Sequence, residues 1–335
     1  MSEPEVATAR ISDLTYRNYD GPLKDRRFRW WPVALAVLRT NARKPGYWIL
    51  VGIVVLIFLL HGLVAFLTRN FSGMVPPQAR EFIVFKGHGN LYSDSLASAL
   101  WWLNLFPTFL IALVVGSGSV AADNRANALL VYLSKPVTKG DYLLGKWMGL
   151  FILIGSVSLL PSLLLYLFYL TTYFSEGFFT DNPTLVLRIF PATLIPAAIH
   201  SSLILGISSY SRSPAMAGAA YAGLLTVTGA AVTATIGSVL FNRVMLDEDL
   251  DKATKAQNRR AVTITCMSVG GVSNGIGCLL YDVDPNYVKV IPPPQIRRRA
   301  ESPSPVPLAL LAGALILVPV GAAAAKVRAV EIVGG

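Results

Sequence analysis

The chain has 335 residues, 53% of them hydrophobic and 14% charged, and a net charge of +10. Soluble domains carry about 25% charged residues, so the composition excludes an ordinary soluble enzyme and points to a polytopic helical membrane protein. The positive balance suits cytoplasmic loops held against anionic membrane lipids. No basic stripe with interleaved aromatics stands apart from the apolar runs, so nucleic acid is not an expected partner.

Residues 1–29 are polar and mixed in charge, with a turn at Asp20-Gly21-Pro22. They hold no apolar core, so no cleavable signal peptide is expected and the first span must act as its own insertion signal. Trp30-Trp31-Pro32 then opens a helix: Val33, Leu35, Ala36 and Val37 give an apolar side, and Arg39, Arg43 and Lys44 follow. Proline suits a first helical turn, and this placement predicts an interfacial helix with its tryptophans at headgroup depth. Residues 1–46 therefore read as a cytoplasmic N-terminal segment.

Apolar runs predict six transmembrane helices, at Tyr47–Leu67, Ala99–Ala122, Leu143–Phe174, Val186–Ser209, Ala215–Phe241 and Pro307–Ala325. The third is long enough to tilt or to project beyond the bilayer. Residues 47–241 thus hold spans one to five. Residues 242–306 form a large loop between the fifth and sixth spans, and 307–335 hold the sixth span and a short tail. Within the loop, Ala261–Tyr281 is uncharged but rich in glycine. It reads as an outer-side or re-entrant segment, because broken backbone at membrane depth needs protein cover. A seventh span is the alternative, favoured by Arg297-Arg298-Arg299. Lys24 to Lys44 carries seven basic residues and one acidic one, which places the N-terminus inside. Six spans then return the C-terminus to the inside and put residues 123–146 in the cytoplasm.

Those residues are the most informative part of the chain. Asp123 starts a short helix in which Ala128, Leu129, Tyr132 and Leu133 share a face. Ser134-Lys135-Pro136 ends it, because the residue before proline avoids the helical region. Thr138 lies three residues before Asp141, a capping pattern for the next helix. An amphipathic helix held in the cytoplasm between two spans has no lipid for its apolar face and needs a protein groove.

This pattern resembles the membrane subunits of type-2 ABC transporters. Their hallmark is an acidic residue, a short helix, a leu-ser-x-Pro turn and a leu-gly-lys start to the next span, here Asp123 followed by ALLVYLSKPVTKGDYLLGK at 128–146. Asn127 stands where relatives often have glycine. The resemblance implies that 123–138 is a coupling helix docking on a separate ABC ATPase subunit, with Leu129, Tyr132 and Leu133 in the groove and Asp123, Arg125 and Lys135 at its rim, beside Ala128 and Pro136. It implies a permease, chiefly for export, in the bacterial cytoplasmic (inner) membrane. It would pair with a second copy of itself or a sister permease, and ATP and magnesium would sit in the partner. A membrane anchor or assembly subunit without a continuous pathway is the alternative.

The remaining motifs carry less. Gly140–Lys146 has phosphate-loop spacing, but Trp147 replaces the magnesium-binding hydroxyl and no strand precedes it. The chain is therefore expected to have no catalytic residues and no ATPase activity of its own. His61 and His200 lie inside spans and are candidate pathway residues. Gly116, Gly118, Ala121, Ala122, Gly218, Ala219, Ala220, Gly223 and Gly229 either line a dimer seam or pack internally. Cys266 and Cys278 are either free or bridged, and with no histidine near them no metal site is expected.

Overall fold

An apolar chain in lipid must satisfy its backbone internally, and here it does so with helices alone among the described residues. The computed structural model describes residues 28–70, 107–126, 137–176, 178–181, 183–246, 263–264, 266–281 and 303–327. In chain order the helices are α1 (Trp31–Ala42), α2 (Pro45–Asn70), α3 (Pro107–Gly116), α4 (Ala121–Arg125), α5 (Lys139–Tyr173), α6 (Phe178–Asp181), α7 (Leu185–Tyr210), α8 (Pro214–Leu246), α9 (Val269–Tyr281) and α10 (Pro305–Lys326). Five of them, α2, α5, α7, α8 and α10, hold a stretch long and apolar enough to cross a membrane. The predicted second span is represented by α3 and α4; its first half, Ala99–Phe106, lies outside the described residues.

Helix α7 is the hub. It touches α3, α5, α8, α9 and α10, and 72% of its most apolar window is buried, against 17% for α2, α8 and α10. Helix α10 packs tightly on it where Gly206 meets Pro319: a Cβ on the glycine would lie 2.7 Å from the proline Cβ. Helix α5 is continuous through Pro161. At 1.5 Å per residue its 35 residues run for about 52 Å, well beyond a bilayer core of about 30 Å. The helix is longer than a perpendicular crossing of that core requires.

The first turns of α5 receive α1. Val33, Ala34, Val37 and Asn41 are the buried residues of α1, so the apolar side read from the sequence is divided: Leu35 is half-buried and Ala36 exposed. The reason lies in α5. A Cβ at Gly145 would sit 2.6 Å from both the Trp30 carbonyl oxygen and Val33 Cβ, and one at Gly149 would sit 2.7 Å from Val37 Cβ. Two glycines four residues apart thus form a trough that seats α1 against protein. The corner between α1 and α2 is closed by the Trp48 indole, which donates to the Ala42 carbonyl at 2.7 Å.

The last helices settle a point of topology. The Tyr210 hydroxyl donates to the Ala322 carbonyl, and the Lys326 ammonium lies over the Tyr210 ring. Helices α7 and α10 therefore end on the same side. Residues 211–213 turn α8 back to run against α7, so α8 ends and α10 begins on the opposite side. Between them lies α9, whose 13 residues span about 20 Å and pack against α7, α8 and α10. A Cβ at Gly275 would meet Cys266 Sγ and Leu308 Cδ1 at 2.9 Å. Cys266 and Cys278 are both buried and are not bridged.

Because the α1–α5 seam has no room for a methyl group, Gly145→Ala should destabilise the purified protein by about 1–3 kcal/mol, the usual penalty for overpacking. Gly223→Ala, where nothing lies within 4 Å, should not. Thermal unfolding in detergent compares the two.

Candidate functional site

One end of the bundle gathers α1, α4, the start of α5, the end of α7 and the end of α10. The described residues there carry nine basic side chains (Arg29, Arg39, Arg43, Lys44, Arg125, Lys139, Lys146, Arg212, Lys326) and two acidic ones, Asp123 and Asp141. Both carboxylates are used within the chain, and their geometry defines the site.

The route to Asp123 begins with a break. Helix α3 stops at Gly116, and residues 117–120 turn before α4. A Cβ on Gly116 would collide with Ile204 at 2.5 Å, so α3 and α7 are in close contact there. Ser208 of α7 fills the gap left by the missing helical bonds. Its hydroxyl accepts from the backbone N–H of Val120 at 3.1 Å and of Ala121 at 2.9 Å, and donates to the Ser117 carbonyl at 2.9 Å. One serine thus satisfies three backbone groups that a helix end would leave orphaned. The side-chain amide of Asn124 donates to the carbonyls of Ser209 and Ser211, tying α4 to the end of α7.

So placed, Asp123 faces α5. Its Oδ2 accepts a hydrogen bond from the Tyr142 hydroxyl at 2.7 Å and pairs with Lys146 Nζ at 2.7 Å. Tyr142 and Lys146 are one helical turn apart, hence on the same face of α5, and the ammonium also sits 5.5 Å from the centroid of the Tyr142 ring. The side chains of Lys146 and Asp123 are only 10% and 16% exposed. In such surroundings a charge-assisted bond is strong and a lost partner costly. Asp123, read from the sequence as a rim residue, is thus engaged inside its own chain; Arg125, two residues on, is exposed.

After the 127–136 segment, α5 begins with a local cap. Thr138 caps α5 with a capping box: Asp141 N–H donates to Thr138 Oγ1, and the Thr138 backbone N–H donates to Asp141 Oδ2. Gly140–Lys146 lie within the first turns of α5, so that run cannot cradle a phosphate as a glycine-rich loop does. Ala128, Leu129, Tyr132, Leu133, Lys135 and Pro136 lie outside the described residues. What is described is the clamp on either side of them.

The two histidines lie elsewhere. His200 is buried in α7, with Nδ1 2.5 Å from the Tyr221 hydroxyl of α8, while its Nε2 meets no partner among the described residues. Tyr221 in turn stacks on Phe109 of α3. His61 is half-buried on α2, and its Nε2 likewise meets no described partner. Neither is brought to the clamp. Sequence reasoning missed Ser208, and it placed Tyr142 and Lys146 only within the leu-gly-lys motif, not as partners of Asp123. Ser208 carries no local signal beyond polarity near the end of an apolar helix.

A family model described as "ABC-2 family transporter protein" matches residues 31–245. No curated protein matches the chain. The match covers more than half of the sequence and contains the whole clamp, so the chain belongs to the ABC-2 transporter family.

Removing either charge of the clamp should cost about 3–5 kcal/mol, because the survivor is left buried and unpaired. The double variant Asp123→Asn, Lys146→Met should regain a good part of that loss. A double-mutant cycle on thermal unfolding measures the coupling; additivity would show that the two groups act separately.

Proposed function

We propose, from the chain's membership of the ABC-2 family, that it is the membrane-spanning permease subunit of an exporter driven by a separate ATPase. The observation that carries this reading is the clamp. A segment that must receive force from a partner has to be anchored where it joins the membrane helices; α4, which leads into it, is tied to α5 through Asp123, and α5, which follows it, starts at the Thr138–Asp141 capping box. In this reading Leu129, Tyr132 and Leu133 enter a groove on the ATPase, with Ala128 and Pro136 shaping the helix and Arg125 and Lys135 pairing at the rim. ATP and magnesium belong to that partner, and this chain contributes no cofactor site.

Orientation follows from charge. Nine basic residues at the clamp end favour the cytoplasmic side of a bacterial inner membrane. Both termini then face the cytoplasm, and α1 lies at the membrane surface. ATP-driven closure of two ATPase subunits pushes the clamp, and two copies of this chain, or this chain and a sister permease, rock against each other around the substrate. His200 is the interior polar group that an opening between α7 and α8 would uncover, and His61 a second candidate on the path.

Co-purification with the ATP-binding subunit tests the docking. Tyr132→Asp and Leu133→Asp should each abolish it, since a carboxylate in an apolar groove is left unpaired; retention in both would refute docking through this segment. Asp123→Asn should keep the partner bound yet lower substrate transport in vesicles about fivefold or more at equal ATPase level, a typical size for a lost coupling. ATPase binding with no flux in the wild type would favour an anchoring subunit instead.

A further inference from the structure

The outward face of α1 is not used by the clamp. Because Val33, Ala34 and Val37 are committed to α5, the helix turns Trp31, Leu35, Ala36, Arg39, Thr40 and Arg43 away from the bundle. Together with Pro32 these line a shallow groove of about 470 Å³. Its floor is apolar at the start of the helix and its far edge is basic. Arg39 and Arg43, four residues apart on one face, are exposed and make no ion pair among the described residues. The helix contains no acidic residue. Both acids at this end are already occupied, Asp123 by Lys146 and Asp141 by Thr138. Beside the arginines, burial alone pulls the half-buried Lys44 ammonium below the ordinary lysine range.

The surroundings say what kind of anion fits. Trp31 is 43% exposed at one end of the groove and Trp48 58% exposed just past the other, as indoles at headgroup depth are. Directly after Arg43 begins α2, which presents Ile49, Ile53, Leu56 and Leu60 outward. A soluble acidic partner would have no use for this apolar floor. The groove therefore sits where a charged surface meets a lipid-facing helix.

We propose that the outward face of α1 binds an anionic phospholipid, with the lipid phosphate held between Arg39 and Arg43 and the first acyl carbons resting on Trp31, Leu35 and Ala36. Guanidinium groups suit phosphate oxygens in number and plane. Thr40 stands between the two arginines and adds a hydroxyl. The inference needs only that the chain lies in a membrane, and it stands apart from the ATPase coupling proposed above.

The full chain in detergent, titrated with phosphatidylglycerol or with phosphatidylcholine of the same acyl chains and read by native mass spectrometry, tests it. The wild type should retain the anionic lipid preferentially. Arg39→Gln with Arg43→Gln should weaken that binding about 30-fold, since each arginine near an anionic headgroup contributes about fivefold. The double lysine variant, which keeps the charge but loses the planar donors, should bind more weakly than the wild type and more tightly than the double glutamine variant. Ala36→Trp fills the groove with both charges intact and should also lose the lipid. Equal retention of the two lipids, or binding unchanged by the double glutamine variant, would overturn the proposal. So would displacement by inorganic phosphate, which would mark a site for the free anion. Loss of a co-purifying protein with lipid retention unaltered would assign the face to that protein and overturn it too.

Discussion

A single carboxylate oxygen organises the end of this molecule that faces its proposed partner. Asp123 Oδ2 takes a phenol and an ammonium from one turn of α5, and this fixes where α4 lies against that helix. Buried ion pairs rarely add much net stability, because desolvation offsets the attraction. What this pair supplies is register. Tyr142 and Lys146 cannot both reach the oxygen if α4 shifts by a residue, so α4 is held in one register on α5. The pair therefore defines geometry more than it adds free energy.

The clamp gains its reach from what lies behind it. Asn124 and the Ser208 hydroxyl bind α4 to the end of α7, and α7 is the helix that most of the others touch. Trp147, one residue after Lys146, donates to Ser202 of the same helix. In the proposed reading, a push on the segment between Asp123 and Thr138 bears on α5 and α7 together. Through the glycine trough of α5 it also bears on α1, and through Gly206 and Pro319 on α10. A lever attached to a single helix would dissipate such a push in local bending. This one is attached to two packed helices, and packed helices move as bodies.

Much of this was legible in the sequence, for reasons that differ by element. Spans such as 186–209 were readable because lipid permits few alternatives to a helix, so an apolar run of that length fixes the element. The start of α5 was readable because a capping box is local: Thr138 and Asp141 are three residues apart and meet as the sequence implies. The partner of Asp123 was not, because Lys146 lies 23 positions on, beyond any periodicity. The break after Gly116 was hidden for the same reason, since the serine that stitches it is on α7. Which side of α1 is buried depends on Gly145 and Gly149, whose lack of side chains speaks only once the neighbouring helix is known. His200 was legible as a buried polar group, but its companion Tyr221 was not.

In the segment between α8 and α10, packing and a count of charges point different ways. Arg297-Arg298-Arg299 favours an extra crossing that would bring the triplet to the basic end. The bond from Tyr210 to Ala322 fixes α7 and α10 as parallel, and α8 runs against α7, so the chain between α8 and α10 must leave and return on the same side. Only an even number of crossings satisfies that. Helix α9, at 13 residues, is too short to make even one through a core of about 30 Å. Its position against three longer helices, with Gly275 pressed on Leu308 at the start of α10, is that of a segment which enters the bundle from one side and gains its backbone cover from protein. Gly275, one of the glycines that spoil 261–281 as a lipid-facing span, thus lets α9 pack against Cys266 and the start of α10.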